Sequence, residues 1–156
     1  RLAFGALLLT PSAIETIHSH PFGLSHYTYL AGGVPGAADR GMNRQFWGFT
    51  TGSVAAWLLE QMPEGGTVYV CDTTFQSVTM LHRDHVWPVT IRPTPNLATA
   101  DFVLVHHEHH FAEVEFQAWV AFHSLTPAHV LTYDGVPIVT IYENPRRRRP
   151  RGSAPP

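Results

Sequence analysis

Lysine is absent from this chain of 156 residues, and cysteine occurs once. The single cysteine excludes an intramolecular disulfide, so no covalent staple holds the fold, and composition leaves the redox compartment open. The missing lysine bears on charge. Five of the ten basic residues are Arg146, Arg147, Arg148, Arg149 and Arg151. Without that terminal run the body is acidic and has no broad basic face, so no nucleic-acid partner is expected. Long apolar runs are missing too: residues 2–9 (LAFGALLL) number eight, whereas a bilayer span takes roughly 20. The small-residue cleavage pattern of a signal peptide is also lacking. By itself, this run is either a buried first element or the end of a membrane helix.

What is present suffices for one domain, since 44% of the chain is apolar and 12% aromatic, enough for a real core. From Ile14 to Gly48 the residues Tyr27, Tyr29, Phe46 and Trp47 lie among Gly23, Gly32, Gly33, Gly36 and Gly41 with no sustained period. A loop-rich lead with short helical turns is expected there. Over residues 53–62, Val54, Trp57, Leu58 and Gln61 recur at helical spacing, and Pro63-Glu64-Gly65-Gly66 stops the helix. Residues 67–71 (TVYVC) and 101–106 (DFVLVH) read as strands covered on both faces, the first of them central. Residues 75–81 fit a short helix and 89–92 a short strand. Residues 112–124 fit a helix with Phe116, Trp119, Val120 and His123 on one stripe.

The last element is the clearest. Residues 129–133 and 136–142 flank Asp134-Gly135, whose residues accept the positive φ values of a type I′ turn, so a β-hairpin is expected. Pro137 lacks a ladder donor and places its strand at or near a sheet edge. Alternating helices and buried strands closed by a hairpin give an α/β fold: a three-layer sandwich with a small mixed sheet. The domain runs over residues 11–145, and residues 146–156 are too polar to offset the cost of ordering them, so a disordered tail is expected.

Four constellations could carry chemistry. Among eleven histidines, His106, His107, His109 and His110 cluster, as do His18 and His20. Imidazoles at such spacing can share a metal ion, but neighbours on a strand point to opposite faces, so polar residues at a strand end compete with that reading. Gly32-Gly33-Val34-Pro35-Gly36 could cradle a phosphate, yet it matches no phosphate-loop pattern and reads more simply as a tight turn. Cys71 and Asp72 end a strand, where α/β folds keep functional groups, with His82, Asp84 and His85 nearby in sequence as partners for a cysteine nucleophile. The arginine run could bind anionic partners or be a solvated tail.

His20-Pro21-Phe22 with Leu24-Ser25-His26-Tyr27, then Ala31-Gly32-Gly33, Gly36-Ala37, Gly41 and Phe46-Trp47-Gly48, resembles a pattern of bacterial glycosyltransferase family 39 and related proteins. There it follows the last membrane helix of protein mannosyltransferase-like and aminoarabinose transferase-like enzymes. Tyr133-Asp134-Gly135-Val136-Pro137-Ile138-Val139 with Ile141-Tyr142 resembles the end of the same domain. His26 and Thr28 stand where the family tends to have Tyr and Asn, and the HHEHH stretch has no counterpart. The resemblance implies that residues 1–10 are the remnant of the last transmembrane helix and that the domain lies on the extracytoplasmic side of a membrane. It also implies a partner in the membrane part of the same protein and a polyprenyl-phosphate-linked sugar donor, sometimes with a divalent metal. Catalytic residues would lie in an early loop of that membrane part, so this domain would hold neither a catalytic residue nor a cofactor of its own. The aromatic residues Tyr27 and Trp47 would face the membrane part or its cleft, or else form a local core. A stand-alone ligand- or metal-binding module using the His cluster is the alternative.

Overall fold

A computed structural model describes residues 2–71 and 74–148. Helix α1 (Leu2–Ser19) leads through two 3-10 turns (Gly23–Ser25, Tyr29–Ala31) to α2 (Gly33–Asp39). After a 3-10 turn (Phe49–Val54) come α3 (Ala55–Gln61), β1 (Gly66–Val70), α4 (Phe75–Arg83) and β2 (Ile91–Pro93). Then follow β3 (Phe102–His106), α5 (Ala112–Phe122), β4 (His129–Tyr133) and β5 (Val136–Glu143). The five strands form one sheet in the order β2-β1-β3-β5-β4. β1 pairs in parallel with β2 and β3, whereas β5 runs antiparallel to β3 and β4. The mixed α/β sandwich expected from the sequence is what forms.

β3 takes the centre that the sequence assigned to β1. All five of its residues are buried, whereas β1 buries only Val68 fully. The pleat sends Phe102 and Leu104 into one core with Leu58, Val78 and Trp87. It sends Val103 and Val105 into the other with Ala118, Phe122 and Tyr142. α3 and α4 therefore cover one face and α5 the opposite one. Where β1 and β3 begin, Asp101 ties them: its Oδ2 accepts from the Thr67 backbone N–H at 2.8 Å and from its hydroxyl at 3.0 Å.

Several expectations are corrected. The stripe read on α5 is rotated: Phe116 and Val120 are 60% and 56% exposed, and Ala118 and Phe122 face the sheet. This helix is apolar nearly all round, so periodicity alone does not select its buried side. α1 continues through Pro11 to Ser19, past the boundary drawn at residue 10 and into the stretch expected to be loop. Gly33 to Asp39 is helical, so the Gly-rich segment is a turn into a helix. The strand of Pro137 does lie near a sheet edge as expected, flanked on both sides but next to the edge strand β4. Its β3 neighbour reaches only Val139, so the missing donor falls beyond that ladder, beside the bulge that makes Ile138 an extra residue in β5.

The hairpin itself forms as read, with Asp134 at φ 48° and Gly135 at φ 75°. The first residues assigned to the tail are structured. Pro145–Arg148 is a 3-10 turn. Arg147 donates to the Gln61 carbonyl, approaches Glu143 at 3.4 Å and lies 4.6 Å above the Phe102 ring. Residues 149–156 lie outside the described residues.

Candidate functional site

Open α/β sheets keep their ligand crevice where neighbouring parallel strands send their connections in opposite directions. Here that point lies between β1 and β3: β1 passes through α4 to β2 on one side, and β3 passes through α5 to β4 and β5 on the other. Cys71 follows β1 directly and His106 ends β3. Their neighbours complete the site, because Gln45, Thr51, His107, Glu108 and Glu115 gather around the same strand ends.

His106 is fully buried, with Nδ1 3.7 Å from Cys71 Sγ and Nε2 3.1 Å from Thr51 Oγ1. Thr51 Oγ1 donates to the Gly48 carbonyl at 2.6 Å. A carbonyl only accepts, so the Thr51 proton is committed to it, and the hydroxyl oxygen accepts from His106 Nε2–H. That leaves the Nδ1 lone pair facing the thiol. The His106 backbone N–H also donates to Cys71 Sγ at 3.2 Å.

On the other face an open cavity of about 220 Å³ is lined by Arg44, His107, Glu108, His109, Phe111 and Glu115 among others. His107 Nε2 meets Thr140 Oγ1 at 2.6 Å. Burial first, with Arg44 adding to it and Glu115 opposing it, holds the His107 pKa below its ordinary value. Gln45 Nε2 donates to Glu108 Oε1 at 2.8 Å in a buried pair. Tyr142 donates to Glu115 at 2.8 Å, and burial above all pushes its phenol up to about 12.

His107 gives a pH dependence. With its folded pKa depressed, the unfolded chain binds more protons below the usual value of about 6.5. Stability is therefore full above that value and is lost as pH falls through it. Urea midpoints of the wild type should drop between about pH 7 and 5, and His107→Gln should flatten that slope. Equal slopes would remove His107 from the account.

The residues marked by the family pattern fall in three places. His26 Nδ1 meets the Tyr133 hydroxyl at 3.0 Å and the Phe22 ring lies 5.5 Å from that of Tyr133, while His18, just ahead of the pattern, meets Asp134 through Nε2 at 3.0 Å. The leading and closing motifs, more than a hundred residues apart in sequence, thus touch through His26, Phe22 and Tyr133. His20 and Pro21 are exposed and joined by a cis peptide. Gly32 and Gly33 open α2, Gly36 packs under the Ala31 carbonyl, and Tyr27 donates to the Asn43 carbonyl at 2.7 Å. Trp47 is 80% exposed, and Gly48, buried, supplies the Thr51 acceptor. Tyr142 stands apart on the α5 side.

The histidines disperse. His106 and His107 point to opposite faces as expected, and His109 turns to the Gly41 carbonyl. Among the described residues no three His, Cys, Asp or Glu side chains are grouped to hold a metal; the side chain of His110 lies outside them. The partners read for Cys71 are also replaced: His82 bonds the Ile91 carbonyl at 2.9 Å, and Asp72 is outside the described residues. Compared with known proteins, the chain matches no family model, no curated protein and no solved structure.

Proposed function

We propose that this chain is the extracytoplasmic accessory domain of a membrane glycosyltransferase using a polyprenyl-phosphate-linked sugar donor, with catalysis in the membrane part of the same protein. The observation that carries this reading is the apolar stripe of α1. Pro11, Ile14 and Ile17 follow one another at helical spacing, and Leu9, Ile14 and Ile17 are 70%, 55% and 78% exposed. Tyr29, beside them, lines an open groove with Thr10, Pro11, Ile14 and Glu15, and Leu30 next to it is fully exposed. Exposed aliphatic surface with amphipathic rings suits a protein or lipid partner at a membrane interface.

No helix among the described residues is long and apolar enough to cross a membrane. In this reading α1 closes a span that begins upstream, and the His18 to Asp134 contact fixes the direction in which the helix leaves the sheet. The contact between the two family-like segments supports the same assignment.

The test uses the intact protein in its membrane. Ile14→Asp with Ile17→Asp should lower sugar transfer from a polyprenyl-phosphate donor about tenfold, since both side chains are already in water in the isolated domain and its melting should barely move. Full transfer by this variant overturns the reading. So does an upstream region that encodes a start codon or a water-exposed domain in place of apolar spans.

A further inference from the structure

We propose that Cys71 and His106 form a thiolate–imidazolium pair, and that Cys71 is a nucleophilic modification site for small electrophiles. This goes beyond the glycosyltransferase reading and does not depend on it. Three observations converge. Cys71 and His106 end adjacent parallel strands at the point where the sheet's connections diverge, the place where such folds bind ligands. The imidazole has its acceptor nitrogen toward the sulfur, because Thr51 takes the proton of the other. A backbone N–H already aims at Sγ and favours negative charge there.

The arrangement is a nucleophile, a base and a group that orients the base. Thr51 is a positioning residue, held in turn by the carbonyl of Gly48. In the activating step the Cys71 proton moves to His106 Nδ1, and the imidazole becomes a cation donating to Thr51 at one end and to the thiolate at the other. In the bond-forming step a sulfur electron pair attacks the electrophilic carbon, an S–C bond forms, and the leaving group departs with its electron pair. Cys71 is half-buried, which restricts the electrophile to a small one. Tyr69 also bears on it, its phenol raised by its own burial first and then by Cys71.

Because the chain holds one cysteine, alkylation reads this site alone. The experiment is the rate of Cys71 carbamidomethylation by iodoacetamide across pH, followed by mass on the whole chain. An ordinary thiol, near pKa 8.5, is only about 1% thiolate at pH 6.5. The wild type should instead react at pH 6.5 within about threefold of its rate at pH 9, and His106→Gln should be slower at pH 6.5 by about thirtyfold, with the two converging in alkali. Thr51→Val should move the midpoint upward by a smaller amount.

If His106→Gln does not fold, the wild-type profile and the ultraviolet thiolate absorbance of the unmodified chain still decide. A wild-type rate that rises only around the ordinary thiol value overturns the proposal, as does an unchanged profile in folded His106→Gln.

Discussion

Replacing Phe102 with Ala should remove ~3–5 kcal/mol of folding free energy, out of a total of roughly 5–15 for a domain of this size. The ring is fully buried at the start of the central strand, edge-on to Trp57 at 5.3 Å and beneath the Arg147 guanidinium. Its removal leaves a cavity between α3 and the sheet that neither neighbour can fill, because both are anchored: Trp57 stacks on His129 at 4.9 Å, and Arg147 is bonded to the Gln61 carbonyl. Urea denaturation followed by far-ultraviolet dichroism measures the loss. Phe102→Leu, which keeps most of the volume, should cost under about 1.5 kcal/mol. A loss below about 1 kcal/mol for Phe102→Ala would mean that this core is not the one holding the sheet.

Gly65→Ala should cost about 3 kcal/mol, combining an αL penalty of about 1–2 with overpacking of about 1–3. Gly65 has φ 88°, and a Cβ there would lie 2.6 Å from both Cβ and the carbonyl oxygen of Thr90. Thr90 in turn accepts from the Gly66 N–H at 3.0 Å, the bond that starts the β1 to β2 ladder. Backbone, not a flexible side-chain end, must therefore move. Gly135→Ala is the control, since Gly135 also has positive φ, at 75°, but nothing lies within 4 Å of its added Cβ. The difference between the two urea midpoints isolates the clash from the dihedral strain. Equal losses would remove the steric part.

Legibility in the sequence followed the locality of each signal. The hairpin turn at Asp134-Gly135 and the apolar run from Phe102 to Val105 are encoded in consecutive residues, and both form where expected. The face of α5 was illegible because Ala118, Phe122, Phe116 and Val120 are all apolar, and only the sheet decides among them. Arg147 was read as tail because its partners, Gln61 and Phe102, are far away in sequence. The chemistry at Cys71 failed for the same reason. His82 and His85 are near Cys71 in sequence, while its neighbour in space, His106, becomes adjacent only through the pairing of Val70 with Leu104. Thr51, Gln45 and Glu115 carried no pattern at all. The one available hint was the strand-end position shared by Cys71 and His106.

Among the described residues the buried apolar side chains divide into three clusters, and the third is small: Val34 with Tyr133, Val136 and Ile138, and Phe22 beside it. That division sets a hierarchy of opening. The segment from Gly23 to Asp39 rests on the hairpin through this cluster and a few polar contacts, so it can detach while both large cores stay closed, at a free energy well below that of global unfolding. Amide protons of that segment exchange through the local event, and those of β3 only through the global one. A ligand or membrane partner that clamps α1 and the hairpin together would protect the first set and leave the second unchanged.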